Sequence, residues 1–393
     1  MRILILSFYF RPDLSAGSFR TTALVEALCE LAPAGSRIDV VTTLPNRYHS
    51  FSVDVPQTEQ QSGLSIFRIA LPEHQSGMLD QSKAFLSYAR SAIRQVSGQE
   101  YDMVYATSSR LMTAVLGAWI ARQKGAKLYL DIRDIFVDTI KDVLPRKLTW
   151  IVKPIFSVLE AWAIKRADKV NLVSLGFLEY FRKRYPQQRF SYFTNGIDDE
   201  FLIAAPTQSG IVKKRPLSVL YAGNLGEGQG LHAIIPELAK RMGADIHFKI
   251  IGDGGRKHAL EIALSKAGVM NVELLPPVKR DKLLEAYRAA DILFLHLNDY
   301  AAFKKVLPSK LFEYAALGKP VWAGVSGYAA EFVRSEISNA AVFHPCDAAE
   351  AVQVFETLTV QDIPRTDFIA KYARAKICRE MAEDIVAVAK GLG

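Results

Sequence analysis

The chain has 393 residues, half of them apolar and 23% charged, with a formal net charge of +8. That length exceeds the roughly 250–300 residues at which one core usually divides, so two domains are expected, and the apolar content excludes extended disorder. The charge is uneven: residues 141–189 hold eleven basic and four acidic side chains, which either attracts anions such as phosphorylated substrates and acidic lipid headgroups or merely aids solubility.

In chain order, "RILILSF" is too short for a signal segment, lacks a small-residue cleavage site and reads as a first strand. A loop and the helix "GSFRTTALVEALCELA" follow, with Leu24, Leu28 and Leu31 on one face. "RIDVVTT", "LSIFRIA", "DMVYATS", "KLYLDI" and "KVNLVS" are further short apolar strands. Such runs, separated by helices, indicate a parallel sheet covered on both faces. After a polar, Pro- and Gly-broken stretch, "AAPTQSGIVKKRP", the theme restarts with "LSVLYAGNLGEGQGLHAIIPELAKRM" and continues through "IHFKIIGDGG", "VELLPPV", "DILFLHL" and "PVWAG". The fold class is therefore α/β, with two Rossmann-like doubly wound domains and a ligand cleft at the carboxyl edges of their sheets. The expected limits are 1–202, 203–366, and a C-terminal helical segment, 367–393, returning to the first domain.

Several ligand classes drop out. "GNLGEGQG" has the wrong spacing for the dinucleotide fingerprint, and no P-loop is present. The basic span lacks the aromatic interleaving, zinc spacing or recognition helix of a nucleic-acid binder. There is no D-x-D and no metal-ligand spacing, so no metal is expected. Cys29, Cys346 and Cys378 are too scattered for a disulfide framework, which points to a cytoplasmic location.

Taken together, "FYFRPDLSAGSFR", "RADKVNLVS", "FTNGIDDEF", "YAGNLGEGQGL", "IIGDGG" and "LPSKLFEYAALGKPV" resemble, in order, the motifs of the retaining GT-B glycosyltransferases of family 4. "YAGN-x-G…QGL" with "PSK-x-FEY" further resembles the branch that builds bacterial O-antigen and capsule repeats, N-acetylfucosamine transferases included. The resemblance implies a metal-independent transfer of a sugar from a UDP donor, with no other cofactor, to a polyprenyl-diphosphate-linked saccharide. It places Glu313 on the ribose diol, for which a carboxylate is the natural acceptor. It also draws Ser309, Lys310 and Leu311 to the donor, Gly17 to a close backbone approach, and Pro277 and Val278 to the uracil.

This chain departs from the family pattern at several positions. Lys305 stands where relatives carry their first glutamate. Asn224 and Gln229 stand where relatives carry the arginine and lysine that touch the diphosphate. Lys310, at the start of a helix, is the first expected substitute, then Arg256 and Lys304, with amides of Gly17, Gly226 and Gly228 adding uncharged donors. In "LYLDIRDIFVD", Arg133 takes the place of the family's histidine and Asp134 that of its aspartate. Asp131 or Asp134 would orient an acceptor hydroxyl, and Arg133 would hold a phosphate or carboxylate; as an alternative, Asp134 is only a helix N-cap.

The span 146–166, "RKLTWIVKPIFSVLEAWAIKR", brackets an apolar face with basic and Trp residues and suits either peripheral contact with an anionic membrane or an ordinary domain helix. Two other readings of the chain are a nucleotide-sugar 2-epimerase of the same architecture and a non-catalytic sugar-nucleotide scaffold.

Overall fold

The computed structural model describes residues 1–13, 15–45, 55–72, 78–108, 110–137, 146–202 and 216–392, excepting the side chains of 78, 79, 146–148, 150 and 151. The chain divides into two compact units, Met1–Gly196 with Arg374–Gly393, and Ile197–Ala373. The first boundary thus falls six residues before the expected one, and the return to the first unit begins at 374 rather than 367. The expected linker lies outside the described residues except for Pro216.

The first unit contains β1 (Arg2–Leu6), β2 (Arg37–Thr43), β3 (Thr58–Gln61), β4 (Leu64–Ile69), β5 (Met103–Thr107), β6 (Lys127–Ile132), β7 (Lys169–Leu172) and β8 (Phe190–Ser191). They form one sheet in the order β3-β4-β2-β1-β5-β6-β7-β8. All neighbours are parallel except β3–β4, with Ile3 lying between Ile38 and Met103. The strand order reverses between β1 and β5. Sequence patterning missed β3 and β8, a polar four-residue edge strand and a two-residue one, because neither carries an apolar run.

The second unit contains β9 (Leu217–Ala222), β10 (Ile246–Ile251), β11 (Val272–Leu275), β12 (Ile292–His296), β13 (Val321–Gly324) and β14 (Ala340–Phe343). Its parallel order is β11-β10-β9-β12-β13-β14, reversing between β9 and β12. Crevices at such reversals, outside the carboxyl ends of the strands, are where α/β sheets bind ligands. The helix at Thr366–Tyr372 stays with this unit because Phe368 and Tyr372 join Phe312 and Phe332 in an aromatic cluster, with ring centroids 4.6–6.2 Å apart.

In the first unit, the helix Ala16–Leu31 starts at Ser15, whose side chain accepts the Ser18 N–H at 3.2 Å. Its buried Leu24, Val25 and Leu28 share a core with Cys378, Met381, Ala382 and Ile385 of the helix Arg374–Ala389. Arg20 is a buried charged residue of the same helix. Its guanidinium meets the Asp131 carboxylate through two bonds of 2.9 and 3.1 Å, and also donates to the carbonyls of Phe193 and Thr194. Tyr105 and Asn171 supply two more donors to Asp131, at 3.0 and 2.7 Å. Arg20 is 1% exposed and Asp131 fully buried. Burial alone would raise the Asp131 carboxyl, but the Arg20 guanidinium and the Asn171 amide outweigh it and the net direction is down. One interaction thereby ties the first helix, β6 and the Phe193–Thr194 segment together.

Breaking a buried pair by removing one partner strands a charge. Asp131→Asn and Arg20→Met should each destabilise the protein by about 3–5 kcal/mol, read by urea unfolding, and Arg20→Met/Asp131→Leu should recover part of the loss. A loss below about 1 kcal/mol for either single variant would mean the pair behaves as a solvated one.

Candidate functional site

In the second unit, β9 runs into the glycine-rich loop at the strand-order reversal. The Gly223 N–H donates to the Ile251 carbonyl at 2.8 Å, and Leu225 N–H to the Asp253 carbonyl at 2.8 Å, so the loop after β9 lies against "GDGG" after β10. A Cβ at Gly252 would fall 1.8 Å from the Gly223 carbonyl oxygen, so the two loops meet only because a glycine is there.

Gly223 itself makes room for Lys310: a Cβ would lie 1.8 Å from Nζ. The ammonium is 4.4 Å from the centre of the Tyr221 ring and donates to the Tyr221 hydroxyl at 3.2 Å, while that hydroxyl donates to the Asn224 carbonyl at 2.7 Å. Lys310 is half-buried by area but hemmed in by protein, and desolvation pulls its pKa down to about 8 against the opposing pull of Glu313. A cation held this way is short of charge neutralisation and suits an anion.

Glu313 stands on the helix Lys310–Ala316, whose Leu311, Phe312, Tyr314, Ala315 and Ala316 are all buried. Glu313 is half-buried and accepts from the Tyr287 hydroxyl at 3.5 Å. Burial lowers the pKa of Arg280, but Glu313 first, then Asp198 and Glu200, raise it, for a net upward shift. Arg280 binds Asp198 at 2.6 Å and also Glu200, and covers the Phe201 ring at 5.1 Å. The acidic residues of "NGIDDEF" therefore dock onto the start of the helix Arg280–Ala289.

Ser309, drawn to the donor by the family resemblance, stands at the start of this helix with its backbone already helical and its side chain making no capping bond. With only seven residues, this helix offers an anion Lys310 rather than an N-terminal dipole. Asn224 and Gln229, the neutral pair, bind each other, Nδ2 to Oε1 at 2.8 Å, and the same Oε1 accepts the Gly226 N–H at 3.3 Å. The Gly226 amide is thus already engaged. Arg256 is half-exposed and donates to Glu227, which also accepts from Tyr300 at 2.5 Å. The Tyr300 hydrogen bond foremost, then Arg256, lowers the Glu227 pKa. Lys304 is exposed and Lys305 half-buried on a single turn, Phe303–Lys305. Pro277 and Val278 lie exposed in the loop that follows β11.

Sequence reasoning did not single out Tyr221, Gly223, Arg280, His296 or Asn298. His296 ends β12 and Asn298 follows it at the same reversal, and only the pairing of β9 with β12 brings them to the glycine loop. Arg280 carried a faint signal, a cation just after the proposed base loop.

In the first unit, the expected catalytic role of Asp131 is corrected: its carboxylate is fully buried and takes four donors from Arg20, Tyr105 and Asn171, so no acceptor hydroxyl reaches it. Arg133 and Asp134 follow β6 at the carboxyl edge of the sheet. The Arg133 Nη1 is buried and meets no hydrogen-bond acceptor among the described residues. Burial, with Arg20 adding to it and Asp131 opposing, lowers the Arg133 pKa. Asp134 is exposed. Gly17 sits in the first turn of its helix, where a Cβ would meet only the Ser15 Oγ at 3.7 Å, so the protein's own packing does not demand glycine there.

The helix Arg146–Arg166 exposes Ile155 (57%) and Val158 (67%) on one face, one turn apart, while Glu160 is buried beneath the hydroxyls of Tyr180 and Tyr185 at 3.1 and 3.0 Å. Among the described residues no helix is long and apolar enough to cross a membrane, and no group of three or more His, Cys, Asp or Glu could hold a metal ion.

The family model for a glycosyl transferase 4-like domain matches residues 20–196, and that for glycosyl transferases group 1 matches 205–376. A protein of Escherichia coli (strain K12), provisionally described as the colanic acid biosynthesis glycosyl transferase WcaI, is 24% identical over 338 residues, 81% of this chain and 82% of its own. In fold the chain is similar to sucrose-phosphate synthase of Thermosynechococcus elongatus, with a TM-score of 0.68 at 14% identity over 100% of this chain and 97% of that one. It is also similar to Anabaena Alr3699/HepE, solved with UDP and glucose, with a TM-score of 0.61 at 17% identity over 100% and 98%. With the two domain models following one another along nearly the whole chain and both sheets doubly wound, the chain belongs to the GT-B glycosyltransferases of family 4.

Proposed function

We propose that the protein moves a sugar, an N-acetylated hexosamine, from a UDP donor to a lipid-linked saccharide during synthesis of a bacterial surface polysaccharide, with retention at the anomeric carbon and without a metal. The observation that carries the donor half is the placing of Lys310 and Glu313 one turn apart, beside the glycine loop at the strand-order reversal of the second unit. An ammonium under that loop suits a diphosphate, and a carboxylate three residues later suits a ribose diol, for which it can accept two hydroxyl protons. UDP in the HepE structure and colanic acid in the name of WcaI support the same reading by likeness.

In the transfer, the bond from the sugar carbon to the β-phosphate oxygen breaks and one to the acceptor oxygen forms on the same face. The departing phosphate oxygen takes the acceptor proton, so no strong protein base is required. Lys310 would stabilise the charge that develops on UDP. Arg133, with its unpartnered Nη1, would hold an acceptor phosphate, and Asp134 would orient the acceptor hydroxyl. The exposed Ile155–Val158 face, flanked by Lys153, Lys165 and Arg166, would rest on an anionic membrane surface.

Thermal shift should show stabilisation by UDP and none by GDP or NAD; the reverse ranking would refute the donor class. Glu313→Ala should weaken UDP by about 10- to 100-fold, the loss of charge-assisted hydrogen bonds. Near-normal affinity would end the ribose assignment. Transfer of radiolabel from a UDP-sugar into a lipid extract separates an enzyme from a scaffold, which would bind without turnover.

Lys310 also predicts a pH dependence. A bound diphosphate raises an ammonium pKa, so the protonated form binds more tightly. Affinity for a UDP-sugar should be level below the free pKa of about 8 and decline above it, by up to about tenfold per pH unit. Lys310→Met should bind more weakly and lose that decline; identical profiles for the two proteins would remove Lys310 from the diphosphate.

Membrane docking is tested by sedimentation with anionic vesicles at low salt, where Ile155→Glu/Val158→Glu should release the protein. Equal pelleting of both proteins, or of neither, would reject this face as the docking surface.

A further inference from the structure

The glycine loop is held from behind by His296, the last residue of β12, and Asn298, two residues beyond it. Three consecutive carbonyls of the loop are taken: that of Glu227 by the Asn298 side-chain amide at 2.9 Å, that of Gly228 by the Asn298 N–H at 2.9 Å, and that of Gln229 by His296 Nδ1 at 2.7 Å. The Cys346 N–H donates to His296 Nε2 at 2.9 Å, which leaves the ring proton on Nδ1 and makes Nδ1 the donor to Gln229. Cys346 reaches that position with a left-handed φ of 63°. The imidazole is 1% exposed and packs against the rings of both Phe294 and Phe343, at 6.2 and 6.0 Å, which are themselves 6.1 Å apart. It fits there because residue 324 is glycine, whose Cβ would lie 2.3 Å from His296 Cδ2. Burial pulls the His296 pKa down to about 4, against the bond to Gln229, so the ring stays neutral near pH 7.

In a trans peptide the C=O and the following N–H point in opposite directions. Fixing the carbonyls of Glu227, Gly228 and Gln229 against His296 and Asn298 therefore turns the N–H groups of Gly228, Gln229 and Gly230 the other way. Two of these close the loop on itself, Gln229 to the Gly226 carbonyl and Gly230 to the Glu227 carbonyl, each at 3.2 Å. The Gly228 N–H meets no acceptor among the described residues, and Gly228 is partly exposed.

We propose that His296 and Asn298 are positioning residues that aim the Gly228 amide at the donor diphosphate, Asn298 by holding the Glu227 carbonyl of that same peptide and His296 by holding the Gln229 peptide, whose Gly230 N–H closes on the Glu227 carbonyl; the amide is an uncharged hydrogen-bond donor in the loop where Asn224 and Gln229 supply no charge. This inference rests on the reading of the loop as the donor diphosphate site. A fixed amide acts here as donors in an oxyanion hole do, because its orientation is set before the ligand arrives.

His296→Phe keeps an aromatic ring against Phe294 and Phe343 and removes both ring hydrogen bonds. His296→Asn keeps an amide that can donate to the Gln229 carbonyl. The affinities to compare are those for UDP and for uridine, which lacks the diphosphate, by ligand-observed NMR titration. Because the lost contact is to a charged group, His296→Phe should weaken UDP by about tenfold and leave uridine within about twofold, and His296→Asn should recover UDP to within about threefold of wild type. In turnover the loss should fall on KM for the UDP-sugar rather than on kcat. Equal loss of UDP and uridine would make His296 merely structural, and unchanged UDP affinity would remove it from the site altogether. Should His296→Phe not fold, Asn298→Ala, which removes the side-chain bond to the Glu227 carbonyl together with those from Cys346 and the Asp299 N–H, must show the same selective loss of UDP, or the inference falls. Failure of the wild type to bind UDP would overturn the donor reading itself, a distinct result.

Discussion

The second unit is organised around a close approach of Lys310 to the Gly223 backbone. A lysine ammonium enclosed by protein is costly unless its charge is answered, and among the described residues it meets an aromatic face, one hydroxyl and a carboxylate three residues away. The rest of the loop follows from admitting it. Residue 223 has to be glycine, Tyr221 has to turn its hydroxyl toward both the ammonium and the Asn224 carbonyl, and Gly252 has to let the neighbouring loop close over Gly223. A site arranged around an under-neutralised cation suits an anion.

Charge is used differently in the first unit. Arg20 and Asp131 are engaged with several partners and excluded from water, and they hold a helix, a strand and a loop together. Arg133, two residues from Asp131, has a buried Nη1 that meets no acceptor among the described residues. In this local sequence of Asp-Ile-Arg-Asp, the first acid is structural, and the second, Asp134, lies exposed. Residue type alone does not separate those roles; the direction each side chain leaves the strand end does.

The departures from the family pattern are coherent once their contacts are known. Asn224 and Gln229 pair with each other and cap the Gly226 amide, where an arginine and a lysine would repel one another and seek an anion. Arg256 is held by Glu227, and Glu227 by Tyr300, so a second ring of polar contacts stiffens the same loop from its exposed side. The loop has exchanged mobile charge for fixed geometry.

Much of this was legible in the sequence, because hydrophobic runs of strand length between amphipathic helices permit few arrangements. The parallel sheets, the restart after the linker and the places of Lys310 and Glu313 all follow from local pattern and motif order. The polar edge strand Thr58–Gln61 did not, since an edge needs no apolar run, nor did the fate of Asp131, since a buried carboxylate and a catalytic one look alike in a string of letters. His296 and Asn298 lie about seventy residues beyond the loop they grip. Local periodicity determined which segments become strands and helices. Only the pairing of β9 with β12 decided which side chains meet the glycine loop, because sheet order is set by packing of the whole core and leaves no mark at the residues it brings together.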